Sequence, residues 1–266
     1  MSKTRKHIVI ETNNLTIGYQ QKKANKVIAF DVSLLIEKGK LVALIGENGI
    51  GKSTLIRTIS KVQNQLSGKI FLKGKDLTTY TNKELSTNLS LVLTEKLPES
   101  QLTVFELIAL GRQPYTNWVD SLSETDVQKI NNAMQLTEVL HLQSHRFYEL
   151  SDGQLQRVLI ARALAQDTDV VILDEPTAHL DMHHTFKIFQ LLKKLVATTQ
   201  KTIIISTHQI NLALEIVDDL IIMKSNEVIS GDKKELLTQN KLQNLFPEEI
   251  LTFNKQIQQF VINRNE

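Results

Sequence analysis

Apolar residues in the first third of the chain alternate or form short runs. Ile8, Ile10, Leu15 and Ile17 alternate with polar neighbours, which predicts strands over residues 8–18 broken near Asn13 and Asn14, with Tyr19 closing the stretch before the polar run 20–26. Residues 27–36 predict a second strand region with Lys38 and Gly39 as its turn, and 69–72 a further short strand turned by Gly74. Between these lies the continuous apolar run 41–45, a buried strand, followed by a helix from 53 to 60 with Leu55, Ile56 and Ile59 on one side. Together these pieces predict an antiparallel β layer at the N-terminal end.

From about residue 77 to 165 the character changes to helix. One helix is expected over 103–110, with Val104, Leu107, Ile108 and Leu110 apolar. Another opens at the N-cap Ser123 and runs through Met134, and a third spans 154–166. Strands and helices then alternate: strands at 170–173, 202–206 and 220–223, helices at 182–197 and 210–217, and a last helix at 233–245, with 251–262 mixed. Alternation of this kind implies a parallel sheet with helices packed on it. The whole of 1–266 reads as a single α/β domain, interrupted by a helical subdomain over approximately 77–165.

Composition changes this picture little. With 266 residues, 41% hydrophobic and 23% charged, the chain has ordinary globular proportions. Its net charge of +2, from 31 basic and 29 acidic residues, argues against a nucleic-acid binder, which usually carries a basic stripe. Lys3, Arg5 and Lys6 are expected to be a solvated start. The lack of cysteine excludes disulfides and Cys-type zinc sites. With no apolar run approaching a membrane span, the expectation is a soluble cytoplasmic chain whose membrane role, if any, comes through a partner.

Four places carry candidate chemistry. Gly46, Glu47, Asn48, Gly49, Ile50, Gly51, Lys52, Ser53 and Thr54 fit the phosphate-binding loop, in its required strand-to-helix context. Glycines bring main-chain N–H groups close to phosphate oxygens, and the helix dipole points its positive end at them. Lys52 would reach the β- and γ-phosphates, and the Ser53 hydroxyl would hold Mg²⁺. Residues 170–175 form an apolar strand ending in Asp174, which can hold Mg²⁺, and Glu175, which can polarise an attacking water. His208, after the strand 202–206, can hydrogen-bond a γ-phosphate in this setting. Ser151 is a plausible N-cap, and with Gly153 it opens a second anion-binding helix N-terminus; alone it would be an ordinary capped helix.

In this order the motifs resemble the nucleotide-binding subunit of an ABC transporter, across nearly the whole chain. Residues 46–54 match Walker A and 170–175 Walker B, and Ala178, His179, Leu180 and Asp181 stand where the D-loop should be. Leu150, Ser151, Asp152, Gly153 and Gln154 match the signature except for Asp152 in place of a glycine, and Gln156 and Arg157 follow as the family expects. The resemblance implies a P-loop NTPase fold of ABC ATPase type. It also implies ATP and Mg²⁺ as cofactors, Lys52, Glu175 and His208 as catalytic groups, Tyr19 stacked on adenine, and Ser151, Gly153 and Gln154 contacting nucleotide.

Within the family the chain is similar to the ATPases of iron-siderophore, haem and cobalamin importers. Leu102, Thr103, Val104, Glu106 and Leu107 carry this likeness, with Gly111, Arg112, Gln113 and Pro114 and the stretch 165–169. Where the family has a glutamine that contacts Mg²⁺ and senses the permease, this chain has Thr94, followed by Glu95. Thr94 takes the metal-side position with a shorter side chain. The family implies a homodimer whose Ser151 face covers ATP bound at the partner's Lys52, and two transmembrane permease subunits docked near residues 94–111. A substrate-binding protein acts indirectly, and the subunit lies on the inner face of the cell membrane. Import direction rests on this resemblance alone. The alternative, a non-transport ABC ATPase acting on nucleic acid or ribosomes, is disfavoured by the single cassette and the lack of long insertions. A dead-site regulator is disfavoured by the intact Lys52, Ser53, Asp174, Glu175 and His208.

Overall fold

In the computed structural model the described residues are 7–22, 24–94, 100–116, 121–225, 227–243, 245–246 and 251–262. The basic start Lys3, Arg5, Lys6 and the residue Glu95 lie outside them, as do residues 95–99 of the stretch expected to meet a permease. In chain order the elements begin with β1 (Ile8–Tyr19), β2 (Lys26–Val32), β3 (Leu35–Glu37), β4 (Leu41–Gly46), α1 (Lys52–Ile59), β5 (Ser67–Leu72) and β6 (Lys75–Asp76). Then come α2 (Asn82–Ser86), β7 (Leu89–Val92), α3 (Val104–Ala109), α4 (Glu124–Leu136), α5 (Asp152–Ala165), β8 (Val170–Leu173) and α6 (Met182–Thr199). The chain closes with β9 (Thr202–Ser206), α7 (Ile210–Ile216), β10 (Asp219–Lys224), β11 (Glu227–Asp232), α8 (Lys233–Thr238), β12 (Leu251–Asn254) and β13 (Gln259–Ile262).

These elements form two compact units, one of residues 1–79 and 202–266, the other of 80–201. In the first unit, β1 is the hub of the expected antiparallel layer. It pairs antiparallel with β3 and β5 along its first half and with β2 along its second. The expected break near Asn13 and Asn14 is an irregularity inside one continuous strand: Asn14 has φ 47°, and the register with β5 shifts between Asn13 and Thr16. The same unit holds a second sheet in which β4 is flanked in parallel by β9 and β10, with β11 antiparallel beyond β10. All six residues of β4 and all five of β9 are buried, as expected for parallel strands covered on both faces.

Three features of this unit differ from expectation. β11 is an edge strand whose alternation is too weak to read, and it is held by its register with β10. The last helix ends at Thr238 because Asn240 adopts φ 58° and the Lys241 N–H turns back to the Leu236 carbonyl. Residues 251–262 form the hairpin β12–β13, which α7 holds through Asn211. That side chain donates to the Phe260 carbonyl at 3.0 Å and accepts from the Phe260 N–H at 2.8 Å, as a neighbouring strand would.

The second unit packs α3, α4 and α5 together and contains the parallel pair β7–β8. β7 lies inside the stretch read as helical. Its four residues are too few to show a period, and their strand conformation comes from the ladder to β8. Helix starts here follow the local code closely. Thr103, Ser123 and Ser151 each accept from an N–H one turn on, and Glu106, Asp126 and Gln154 each bond back to the cap N–H, closing capping boxes. Arg112 is buried against Asp126 (2.8 Å) and the Ala165 carbonyl (2.7 Å), tying α4 to the end of α5. Among the described residues, no helix is long and apolar enough to cross a membrane.

Candidate nucleotide site

In the first unit the loop 46–51 leaves the carboxyl end of β4. A Cβ on Gly46 would stand 2.5 Å from the Met223 carbonyl oxygen, so the loop passes too close to β10 for any side chain. Gly51 has φ 113°, and a Cβ there would overlap the Ile28 side chain. Lys52 is buried, and its Nζ donates to the carbonyls of Gly46 and Glu47, both at 3.0 Å, which holds a positive charge inside the loop.

Helix α1 starts from Gly51 with no side-chain cap, whereas α2 to α6 all begin from a side chain that accepts an N–H of their first turn. First-turn N–H groups are anion donors when no side chain takes them. An uncapped eight-residue helix, a buried ammonium and the Ser53 hydroxyl make a donor set that fits a polyphosphate with its metal ion.

Two further residues join this loop. Tyr19, 44% exposed at the end of β1, places its phenol oxygen 3.1 Å from Thr54 Oγ1 in α1. β9 runs parallel to β4 with Ser206 opposite Leu44, so His208 lies at the same sheet end as the loop. The His208 ring is exposed, with Nε2 3.2 Å from Gln209 Nε2.

In the second unit β7 and β8 end side by side, with Val92 opposite Leu173. Asp174 is buried just beyond, and its N–H donates to the Val92 carbonyl at 2.8 Å. Glu175 has φ 46°. The Thr94 hydroxyl donates to the Asp174 carbonyl at 2.8 Å. A cavity of about 490 Å³ opens here, lined by Thr94, Gln156, Asp174, Glu175 and His179.

Ser151 caps α5, and Asp152 occupies its first helical position, where no glycine is needed and a carboxylate suits the helix dipole. Gly153 is buried, and a Cβ on it would stand 2.8 Å from His184 Cδ2. His184, which sequence reasoning missed, is fixed by Asp181: the carboxylate accepts the His184 N–H at 2.8 Å and sits 2.9 Å from its Nδ1. No periodicity signals this contact, since it joins residues 31 positions apart on different helices. The backbone N–H of His184 and then its ring hold the Asp181 carboxyl below the usual carboxylate range. Ser151, Gln154, Arg157, His184 and Lys187 line a neighbouring groove of about 320 Å³, together with Glu138, which pairs with Arg157 at 2.6 Å.

The phosphate-loop residues with Tyr19 and His208 thus gather in one unit, and Thr94, Ser151, Gly153, Gln154, Asp174 and Glu175 belong to the other. The ABC transporter family model matches residues 29–178. A petrobactin import ATP-binding protein of Bacillus anthracis is 34% identical over 233 residues, covering 88% of this chain and 84% of its own. An iron(3+)-hydroxamate import ATP-binding protein of Bacillus subtilis is 35% identical over 238 residues, covering 89% and 87%. A solved dimeric ATP-binding cassette in a post-hydrolysis state, bound to ADP and Pi, is similar at TM-score 0.72 and 28% identity, over 84% of this chain and 98% of that one. The chain therefore belongs to the ABC transporter family, as its ATP-binding and ATP-hydrolysing subunit.

Proposed function

We propose that this ATPase energises uptake of an iron(III)-siderophore or a related haem- or cobalamin-type chelate. The observation that carries the cargo class is the similarity, over nearly nine-tenths of the chain, to petrobactin and iron-hydroxamate import ATP-binding proteins. The nucleotide chemistry rests on the uncapped start of α1 beside the buried Lys52.

In this reading Tyr19 stacks on adenine, and residues 46–54 wrap the phosphates with Lys52 on the β- and γ-groups. Glu175 polarises the attacking water, and His208 hydrogen-bonds the γ-phosphate. Bound Mg²⁺ would neutralise charge on the β- and γ-oxygens. Ser53 and Asp174 would hold it, and Thr94, whose proton goes to the Asp174 carbonyl, would meet a metal-bound water only as an acceptor. Two copies pair so that Ser151, Gly153 and Gln154 of one cover the nucleotide of the other, and the pair drives two permease subunits at the inner face of the membrane.

The test is co-purification from native membranes with tagged Glu175→Gln in the presence of ATP. A polytopic permease in the eluate supports the transporter reading, and its receptor identifies the cargo. Ribosomal or DNA-bound proteins without a permease overturn it. Glu175→Gln itself should bind ATP while turnover falls roughly 10²–10⁴-fold, the usual worth of a general base.

A further inference from the structure

We propose that Thr94 is a positioning residue for the peptide between Asp174 and Glu175, supplying with its side chain a rung of the β7–β8 ladder. The inference rests on the reading of Glu175 as the water-polarising base. The parallel ladder runs from Leu89 opposite Val170 to Val92 opposite Leu173, and the Asp174 N–H extends it by one bond to the Val92 carbonyl. In a parallel pair the Asp174 carbonyl would next face the main-chain N–H two residues beyond Val92, that of Thr94. β7 ends at Val92, and the Thr94 hydroxyl meets that carbonyl at 2.8 Å.

The carbonyl that Thr94 holds belongs to the peptide plane whose nitrogen is that of Glu175. Its orientation therefore bears directly on φ of Glu175, which is 46°. A non-glycine residue in such a backbone carries a conformational cost that neighbouring contacts offset. Glu175 is gripped on both sides: Thr94 holds the carbonyl before it, and the Ala178 N–H donates to its own carbonyl at 3.1 Å. The glutamine that the family resemblance leads one to expect carries its amide two carbons further from the backbone. The threonine hydroxyl, on Cβ, stays within reach of the adjacent strand end, so this substitution exchanges a long reach for a short clamp on Glu175.

The experiment compares Thr94→Val, Thr94→Ser and Glu175→Gln in the full-length chain. It measures kcat and KM for ATP, nucleotide affinity, the Mg²⁺ concentration for half-maximal turnover, and the melting temperature. Valine keeps the shape and removes the donor. Thr94→Val should lower kcat roughly tenfold or more even at saturating Mg²⁺, the scale set by small misplacements of a reacting group, with ATP affinity within about twofold of the parent. Thr94→Ser, which keeps the hydroxyl, should recover most of the loss. Unchanged kcat in Thr94→Val, or a serine variant as impaired as the valine one, overturns the proposal. A raised Mg²⁺ requirement with kcat intact also overturns it and makes Thr94 a metal-side residue. If Glu175→Gln keeps full turnover, the assignment of Glu175 itself fails; if it is dead while Thr94→Val is fully active, only the clamp fails. Should Thr94→Val not fold, Thr94→Ala is judged by the same criteria.

Discussion

The phenol oxygen of Tyr19 lies 3.1 Å from the hydroxyl of Thr54, so the aromatic ring at the end of β1 is tethered to the first turn of the phosphate-loop helix. Tyr19→Ala should weaken ATP binding by about fivefold while leaving inorganic triphosphate binding unchanged, since stacking acts on the base. Tyr19→Phe keeps the ring and loses the tether, so it should fall between parent and alanine variant. Calorimetric titration with ATP and triphosphate checks both; equal losses for the two ligands would remove Tyr19 from the base.

Lys52 holds its charge between the carbonyls of Gly46 and Glu47, where a bound polyphosphate would meet it. Hydrogen bonds to a charged group contribute about 1.5–3 kcal/mol. Lys52→Ala should therefore weaken ATP binding by roughly ten- to hundredfold on that scale. Wild-type affinity in equilibrium dialysis would sink the phosphate-loop assignment.

Gly153 has no room for a methyl group, because its Cβ would stand 2.8 Å from the ring of His184. That ring moves aside only by giving up its contact with Asp181 at 2.9 Å. Alanine gains about 1 kcal/mol of helix propensity over glycine, but overpacking costs about 1–3 kcal/mol. The net expectation for Gly153→Ala is a lowered melting temperature and slower turnover. Adding His184→Ala should restore part of both, a coupling that a double-mutant cycle measures. Strict additivity would mean that the two residues do not meet.

Asp126 accepts from the Ser123 hydroxyl at 2.6 Å, from the Ser123 N–H at 2.9 Å and from buried Arg112 at 2.8 Å. The Ser123 hydroxyl chiefly, with its N–H and Arg112, holds the carboxyl below its ordinary range. A carboxyl depressed in the folded state contributes stability that is complete above its unfolded value, about 4, and lost as pH falls through the folded one. Thermal melts from neutral pH downward should therefore show stability dropping below about pH 4. In Asp126→Asn the neutral-pH melting temperature should fall, because Arg112 keeps its charge in a buried place, and the acid slope should flatten. An unchanged slope would mean that Asp126 does not carry this dependence.

Much of the local structure around the proposed nucleotide site was legible because it follows from short spacing. A phosphate loop is a strand end, a tight turn and a helix start within nine residues, and residues 46–54 contain all three. The caps Ser123 and Ser151 were equally plain, since a cap bonds to a neighbour one turn away. β7 and β11 were not legible, because short strands exist through their partners: Leu89–Val92 is extended by its ladder to β8, and Glu227–Asp232 by its ladder to β10. The end of α8 turned on a left-handed Asn240, and the tail hairpin on a side chain of α7.

The same division runs through the site. By itself the sequence determined which residues are proposed for phosphate-binding, metal-binding and base chemistry, because that proposal rests on residue type and near spacing. Only the tertiary structure decided that Tyr19 meets Thr54, that His184 fills the space over Gly153, and that Thr94 bonds to Asp174 eighty residues on. Each joins residues distant along the chain, and it is the pairing of strands and the packing of helices, not local spacing, that brings such groups within hydrogen-bond or van der Waals reach.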